Sequence, residues 1–191
     1  MGIGEPFDNY DNVMSFIRII NHPKALAIGA RHITVSTCGI VPRIKAFAHE
    51  GIQVKLAISL HGPTNEIRSK IMPINSRYPV EEVIEAAKYY ESVTNKRVTF
   101  EYILIDGVND SLAEAQALVE LVRDMLAFVN LIPYNPVDEH GFKRSRPAHQ
   151  RAFFDYLMQN GLNTTLRKEF GSDIDAACGQ LRAKKERERH A

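Results

Sequence analysis

Few side chains in this chain are equipped for catalysis. The sequence holds two cysteines, Cys38 and Cys178, and seven histidines scattered without metal-ligand spacing, so no zinc site or Cys-x-x-Cys pair is expected. No GxxxxGK[ST], HExxH or GxSxG segment occurs, and with them go the usual phosphate cradle, zinc helix and nucleophile elbow. What remains sits in short loops: Gly4-Glu5-Pro6, Ser36-Thr37-Cys38-Gly39, Ser59-Leu60-His61-Gly62-Pro63, Asp106-Gly107-Val108-Asn109-Asp110 and Pro133-Tyr134-Asn135-Pro136. Each offers small residues that let a ligand approach backbone, plus one or two hydrogen-bonding side chains. Cys178 follows Asp173 and Asp175 about one turn into an expected helix. A helix N-terminus lowers a thiol's pKa and favours the nucleophilic thiolate. Taken singly these features have plainer readings: Cys178 as packing, Asp173 and Asp175 as an N-cap pair, His61 as a satisfied loop histidine.

The loops must be held by regular elements. Five runs rich in β-branched residues read as strands, at about 31–36, 53–59, 98–105, 127–132 and 162–167. Helices are expected over 9–21, 40–51, 80–93, 111–126 and 145–161. Ser111 and Glu114 have the spacing of a capping box, and Pro79 precedes a first turn rich in acids. Alternating strands and helices of these lengths predict parallel α/β structure, whose ligands sit at the C-terminal ends of the strands.

Parity sharpens this picture. His32, Thr34 and Ser36 share one face of the first strand, and Ile33 and Val35 the other. Val54, Leu56 and Ile58 oppose Lys55, Ala57 and Ser59; Phe100, Tyr102 and Leu104 oppose Thr99, Glu101 and Ile103; Val129 and Leu131 oppose Asn130 and Ile132. A parallel strand buried on both sides is apolar throughout. Here one face stays small or polar, which predicts strands lining a polar cavity while their other face packs helices. Ser36, Ser59, Glu101 and Asn130 are expected on the concave side.

Composition sets the outer bounds. With 191 residues, 45% hydrophobic, 25% charged and a net charge of +1, the chain reads as one globular unit with no global pull towards nucleic acid or membrane. No run approaches the about 18 to 20 apolar residues of a spanning helix, and the start MGIGEPFDNY has no signal-peptide pattern. The expected compartment is a reduced cytoplasm. Residues 1–181 are expected to form the folded unit, and 182–191, where basic residues alternate with Glu186 and Glu188, a charged C-terminal tail.

In order, GEPFDNYDNV, ITVSTCGIVP, LAISLHGPTNEIRSKIMPIN, VTFEYILIDGVND, NLIPYNPV and DIDAACGQL together resemble the dual-specificity RNA methyltransferases of the radical S-adenosylmethionine superfamily. The resemblance covers essentially the whole chain. It implies methylation of adenine C2 in 23S rRNA and in tRNA, with S-adenosyl-L-methionine as cofactor. By that resemblance Gly4 and Glu5 match the loop that binds the methionine end of S-adenosylmethionine. Ser36, Ser59, Leu60, His61 and Asn135 match its other contacts, and Cys178 matches the cysteine that carries the methyl group. The implied chemistry is thiolate displacement to give S-methyl-Cys178, then radical transfer driven by reductive cleavage of a second S-adenosylmethionine at a 4Fe–4S cluster. An electron donor such as flavodoxin is implied as partner.

The chain departs from the family pattern in what it lacks. The CxxxCxxC loop that holds the cluster and the second catalytic cysteine are missing, so the 4Fe–4S cluster is expected in the full-length enzyme only and no metal ligand is assigned here. The fold class expected is an incomplete parallel (β/α) barrel of the radical SAM type without its first strand and cluster-binding loop. The chain is expected to be an inactive fragment by itself, with possible self-association through the edge of the barrel. Two other functions stay open: adenine C8 methylation in the same family, and a non-catalytic nucleoside- or RNA-binding α/β module.

Overall fold

The computed structural model describes residues 4–136 and 141–167. The expected helix after Asp173, Cys178 and the 182–191 tail lie outside the described residues.

The described chain is a single parallel sheet with helices on one side. Its elements run α1 (Tyr10–Asn21), β1 (Thr34–Thr37), α2 (Val41–Ala48), β2 (Lys55–Ser59), α3 (Asn65–Ile71), α4 (Val80–Thr94), β3 (Val98–Leu104), α5 (Leu112–Val122), β4 (Ala127–Pro133), α6 (Pro147–Gln159) and β5 (Thr164–Leu166). The strands pair in chain order, β1-β2-β3-β4-β5, all parallel. Sequential parallel neighbours joined by helical crossovers are the geometry of a (β/α) barrel. Among the described residues the sheet does not close, so the barrel is incomplete.

Local sequence explains most of the boundaries. Ser111 and Glu114 form the expected capping box at the start of α5. Asn95, in the left-handed region at φ 53°, ends α4 and donates its N–H to the carbonyl of Glu91 at 2.7 Å, as a C-terminal cap does. The first strand departs from expectation. It begins at Thr34, because Ala30–His32 form a 3-10 turn with His32 N–H donating to Gly29 O at 2.8 Å. His32 is therefore exposed on that turn and does not share a face with Ser36. The short helix α3 was not expected: its seven residues, NEIRSKI, are too few to display a helical period.

Parity survives. Val35, Leu56, Ile58, Phe100, Tyr102, Leu104, Val129 and Leu131 are all buried under the helices, where Phe47 of α2 stacks on Tyr90 of α4 at 5.9 Å. Ser36, Ser59, Thr99, Glu101, Ile103, Asn130 and Ile132 share the opposite face and remain half-exposed. That face is an open concave wall. Ala57 is the exception, buried on the polar side because a methyl group is overtopped by its neighbours.

Candidate functional site

The loops at the C-terminal ends of the strands are laced together by hydrogen bonds that cross from one crossover to the next. The belt begins at Glu5. One carboxylate oxygen accepts the N–H of Phe7 at 3.0 Å, capping a 3-10 turn, and the other accepts the N–H of Cys38 at 2.7 Å. Cys38 O accepts from Arg68 Nη2 at 2.6 Å, and Arg68 Nε donates to Leu60 O at 3.2 Å. His61 follows with φ 58°, a left-handed conformation uncommon outside glycine. Its Nδ1 accepts the N–H of Ile103 at 3.2 Å, and its carbonyl accepts from Asn109 Nδ2 at 2.8 Å. Asn109 also accepts the Ile105 N–H and donates to Ile103 O, and Leu104 O accepts the N–H of Tyr134, beside Asn135.

Two buried side chains of this belt, Arg68 and Asn109, carried no signal that marked them as organisers. Arg68 is fully buried and also donates to Asn75 Oδ1 at 2.9 Å and Tyr78 O at 3.2 Å. Its arginine type within a polar loop was legible. Its reach of 30 residues to Cys38 was not.

The expected site residues fall as follows. Gly4 is exposed at φ 131°, Glu5, Ser36, Ser59, His61 and Asn135 are half-buried at the mouth, and Leu60 is wholly buried. The Leu60 side chain belongs to the core, so only its backbone faces the belt, and both of its polar groups are already bonded. Gly39 and Gly62 are small for a reason other than ligand approach. A Cβ on Gly39 would meet Val83 at 3.1 Å, and one on Gly62 would meet the backbone N of Arg68 at 2.7 Å.

Electrostatics divides the mouth. Burial pushes the His61 imidazole down to about 4, helped by the Arg68 charge, so the ring is neutral near pH 7. With Nδ1 accepting, the proton is on Nε2, a fixed donor. The Cys38 thiol is pushed up to about 12 by burial and by the Glu5 carboxylate beside it, which makes it a poor nucleophile and a poor metal ligand. Burial raises the Glu101 carboxyl as well, against the Asn130 amide and the Arg167 charge, which lower it.

Strand register sorts the concave wall into rows. Ser36, Ala57, Thr99 and Phe128 lie side by side. Ser59, Glu101, Asn130 and Thr165 form the next row, and Ile103 and Ile132 the one above. Asp106, Asp110 and His149 also meet, with ligand atoms within 4.8 Å of one another. Asp110 is already engaged there, accepting from Ser145 Oγ at 2.6 Å and Gly107 N–H at 2.9 Å and meeting His149 Nδ1 at 3.2 Å. The cluster clamps the 141–149 segment onto the loop after β3.

Comparison with known proteins agrees with this architecture. Residues 1–119 match the Radical SAM superfamily. A protein of Listeria welshimeri named "Probable dual-specificity RNA methyltransferase RlmN" is 61% identical over 187 residues, covering 96% of this chain and 51% of that protein. A protein of the same name from Spiroplasma citri is 60% identical, covering 97% of this chain and 53% of that protein. The chain thus spans about half the length of the curated relatives it matches. The crystal structure of a radical SAM methyltransferase from Sphaerobacter thermophilus superposes with a TM-score of 0.90 at 49% identity, over 94% of this chain and 53% of that one.

Proposed function

The chain belongs to the radical SAM superfamily, and on that premise we propose that it forms the part of an RNA methyltransferase that binds S-adenosylmethionine and carries the methyl-accepting thiol, Cys178. The target on this reading is C2 of adenine in 23S rRNA and tRNA. The observation that carries it is the belt, which draws Glu5, the Ser36 loop, Ser59 to His61 and the Asn135 loop to one edge of a polar wall. Their chemistry suits an amino acid joined to a nucleoside. Each Glu5 oxygen spends one lone pair on a backbone N–H and keeps another for an ammonium group. The serine hydroxyls, the His61 Nε2–H and the Asn135 amide suit ribose and purine. Leu60 contributes through its backbone.

The names and identities of the relatives support RNA as substrate class. The reactivity of adenine supports a carrier cysteine. C2 is electron-poor and does not displace a sulfonium leaving group, whereas a thiolate does. The sulfur–methyl bond breaks, the new bond forms at Cys178, and S-adenosylhomocysteine departs.

The 4Fe–4S cluster that the superfamily implies does not fit the residues of this chain. Such a cluster takes three or four thiolates, the sequence holds two cysteines, and Cys38 is held protonated. On this reading the cluster and the docking of its electron donor belong to residues outside this sequence, and the chain alone does not turn over.

Nucleoside analysis of 23S rRNA and tRNA from cells with and without the full-length enzyme tests the proposal. Loss of 2-methyladenosine is expected, restored by the full-length enzyme and not by its Cys178→Ala variant. Loss of 8-methyladenosine instead would move the chemistry to C8. No change in either would leave a nucleoside-binding module.

A further inference from the structure

Glu101 is the only acidic residue in the five described strands, and it stands in the middle of the concave wall. Its Oε2 accepts from Asn130 Nδ2 at 2.8 Å, and Asn130 Oδ1 accepts from Thr165 Oγ1 at 3.0 Å. A flipped Asn130 amide would set its oxygen against the Glu101 carboxylate, so the observed orientation is the favourable one and the ladder holds the carboxylate. Its other oxygen, Oε1, has no hydrogen bond among the described residues, and no described cation lies within ion-pair distance. Oε1 is open to solvent on this face, so a donor from a ligand can replace water there while Asn130 holds the other oxygen.

The surroundings narrow the ligand. Neighbouring strands lie about 4.8 Å apart, and alternate residues along a strand about 7 Å apart. Ser59 and Asn130 therefore flank Glu101 at close range, with Ile103 and Ile132 above the row and Ala57, Thr99 and Phe128 below it. This polar row beneath an apolar one suits a sugar ring with a flat base beside it. A phosphate would be repelled by the carboxylate. Acidic residues elsewhere in α/β proteins accept ribose hydroxyls in this way.

We propose that Glu101 is a nucleoside-binding residue whose Oε1 accepts a hydrogen bond from a ribose hydroxyl, with Asn130 and Thr165 as positioning residues that aim it. The inference rests on the reading of the belt as an adenosine site. The ribose could be supplied by S-adenosylmethionine or by the target nucleotide of the RNA.

Calorimetric titration of this chain separates the two. One arm compares S-adenosylhomocysteine with its 2′-deoxy and 3′-deoxy analogues. The other compares an RNA hairpin with the same hairpin carrying a single 2′-deoxyadenosine. The unvaried protein is expected to prefer the ribose form by roughly tenfold, the worth of one charge-assisted hydrogen bond. Glu101→Met and Glu101→Ala should bring that ratio to about one, in whichever arm supplies the ribose. A general loss of stability would weaken both forms equally and leave the ratio unchanged. Should Glu101→Ala fail to fold, Glu101→Met, which keeps the length of the side chain and has no strong donor or acceptor for a hydroxyl, decides alone. An unchanged ratio in both arms, with binding intact, overturns the inference and leaves the functional reading standing. If the unvaried protein binds neither S-adenosylhomocysteine nor the hairpin, the reading and the inference fall together.

Discussion

At the level of single residues, the Arg68 guanidinium is satisfied by neutral acceptors, the carbonyls of Cys38, Leu60 and Tyr78 and the side-chain oxygen of Asn75. A buried charge is usually paired with an opposite one; here four dipoles take that place, and burial pulls the Arg68 pKa down. Arg68→Met fills similar space and strands those acceptors, so it should cost roughly 2 to 5 kcal/mol in urea unfolding; a loss under about 1 kcal/mol would show that the carbonyls find water instead. His61 makes a pH-dependent contribution. Its folded pKa of about 4 lies below the ordinary 6.5, so the unfolded chain takes up the proton first as the pH falls. Stability should therefore drop between pH 6.5 and 4 and level off below, by roughly 1 to 3 kcal/mol. Asparagine tolerates a positive φ and keeps an acceptor near the Nδ1 position. His61→Asn should remove this part of the slope, and equal slopes for the two proteins would contradict the assignment.

At the scale of elements, the loop after β2 is shaped by α3. Gly62 lies so close to the first turn of α3 that an added Cβ would sit 2.7 Å from the Arg68 nitrogen and 3.0 Å from Ile67 Cγ2. Backbone cannot yield as a side-chain tip can. Gly62→Ala should destabilise by about 1 to 3 kcal/mol and displace Ser59 to His61, weakening S-adenosylhomocysteine binding along with stability. A variant of unchanged melting temperature and affinity would show that α3 slides freely. The helix that sequence periodicity missed thus fixes the position of a loop that motif order brought forward.

On the scale of the whole molecule, the open edge at β1 matters most. β1 pairs with β2 on one side, and among the described residues no strand pairs with it on the other. Glu5 covers the N–H of Cys38 just past its end. The strand itself, Thr34–Thr37, carries no charge and no proline to discourage pairing. The helix α1 does not shield it by its polar contacts: Tyr10 and Arg18 reach Glu50, beyond α2, at 2.9 and 2.5 Å. Self-association of this chain is expected at tens of micromolar, about where exposed edges begin to pair. Sedimentation showing one monomeric species across that range would mean that the edge is covered.

Local rules reach a definite depth in this protein. Alternation along the strands, read from residue types alone, separates Leu56, Phe100 and Val129 from Ser59, Glu101 and Asn130, because a strand's two faces meet two solvents and composition records which. The Ser111–Glu114 cap and the order of the loop motifs are local in the same sense. Tertiary structure decided the rest. Arg31 and His32 lead into the β-branched run Ile33 to Val35 and read as its start, yet they belong to a 3-10 segment, since pairing with β2 begins only at Thr34. Leu60 sits inside a polar motif but is claimed by the core. Arg68, Asn109 and Glu101 acquire their meaning from partners 29 to 48 residues away. No period or spacing encodes such contacts, because they exist only once the crossovers have brought the strand ends together.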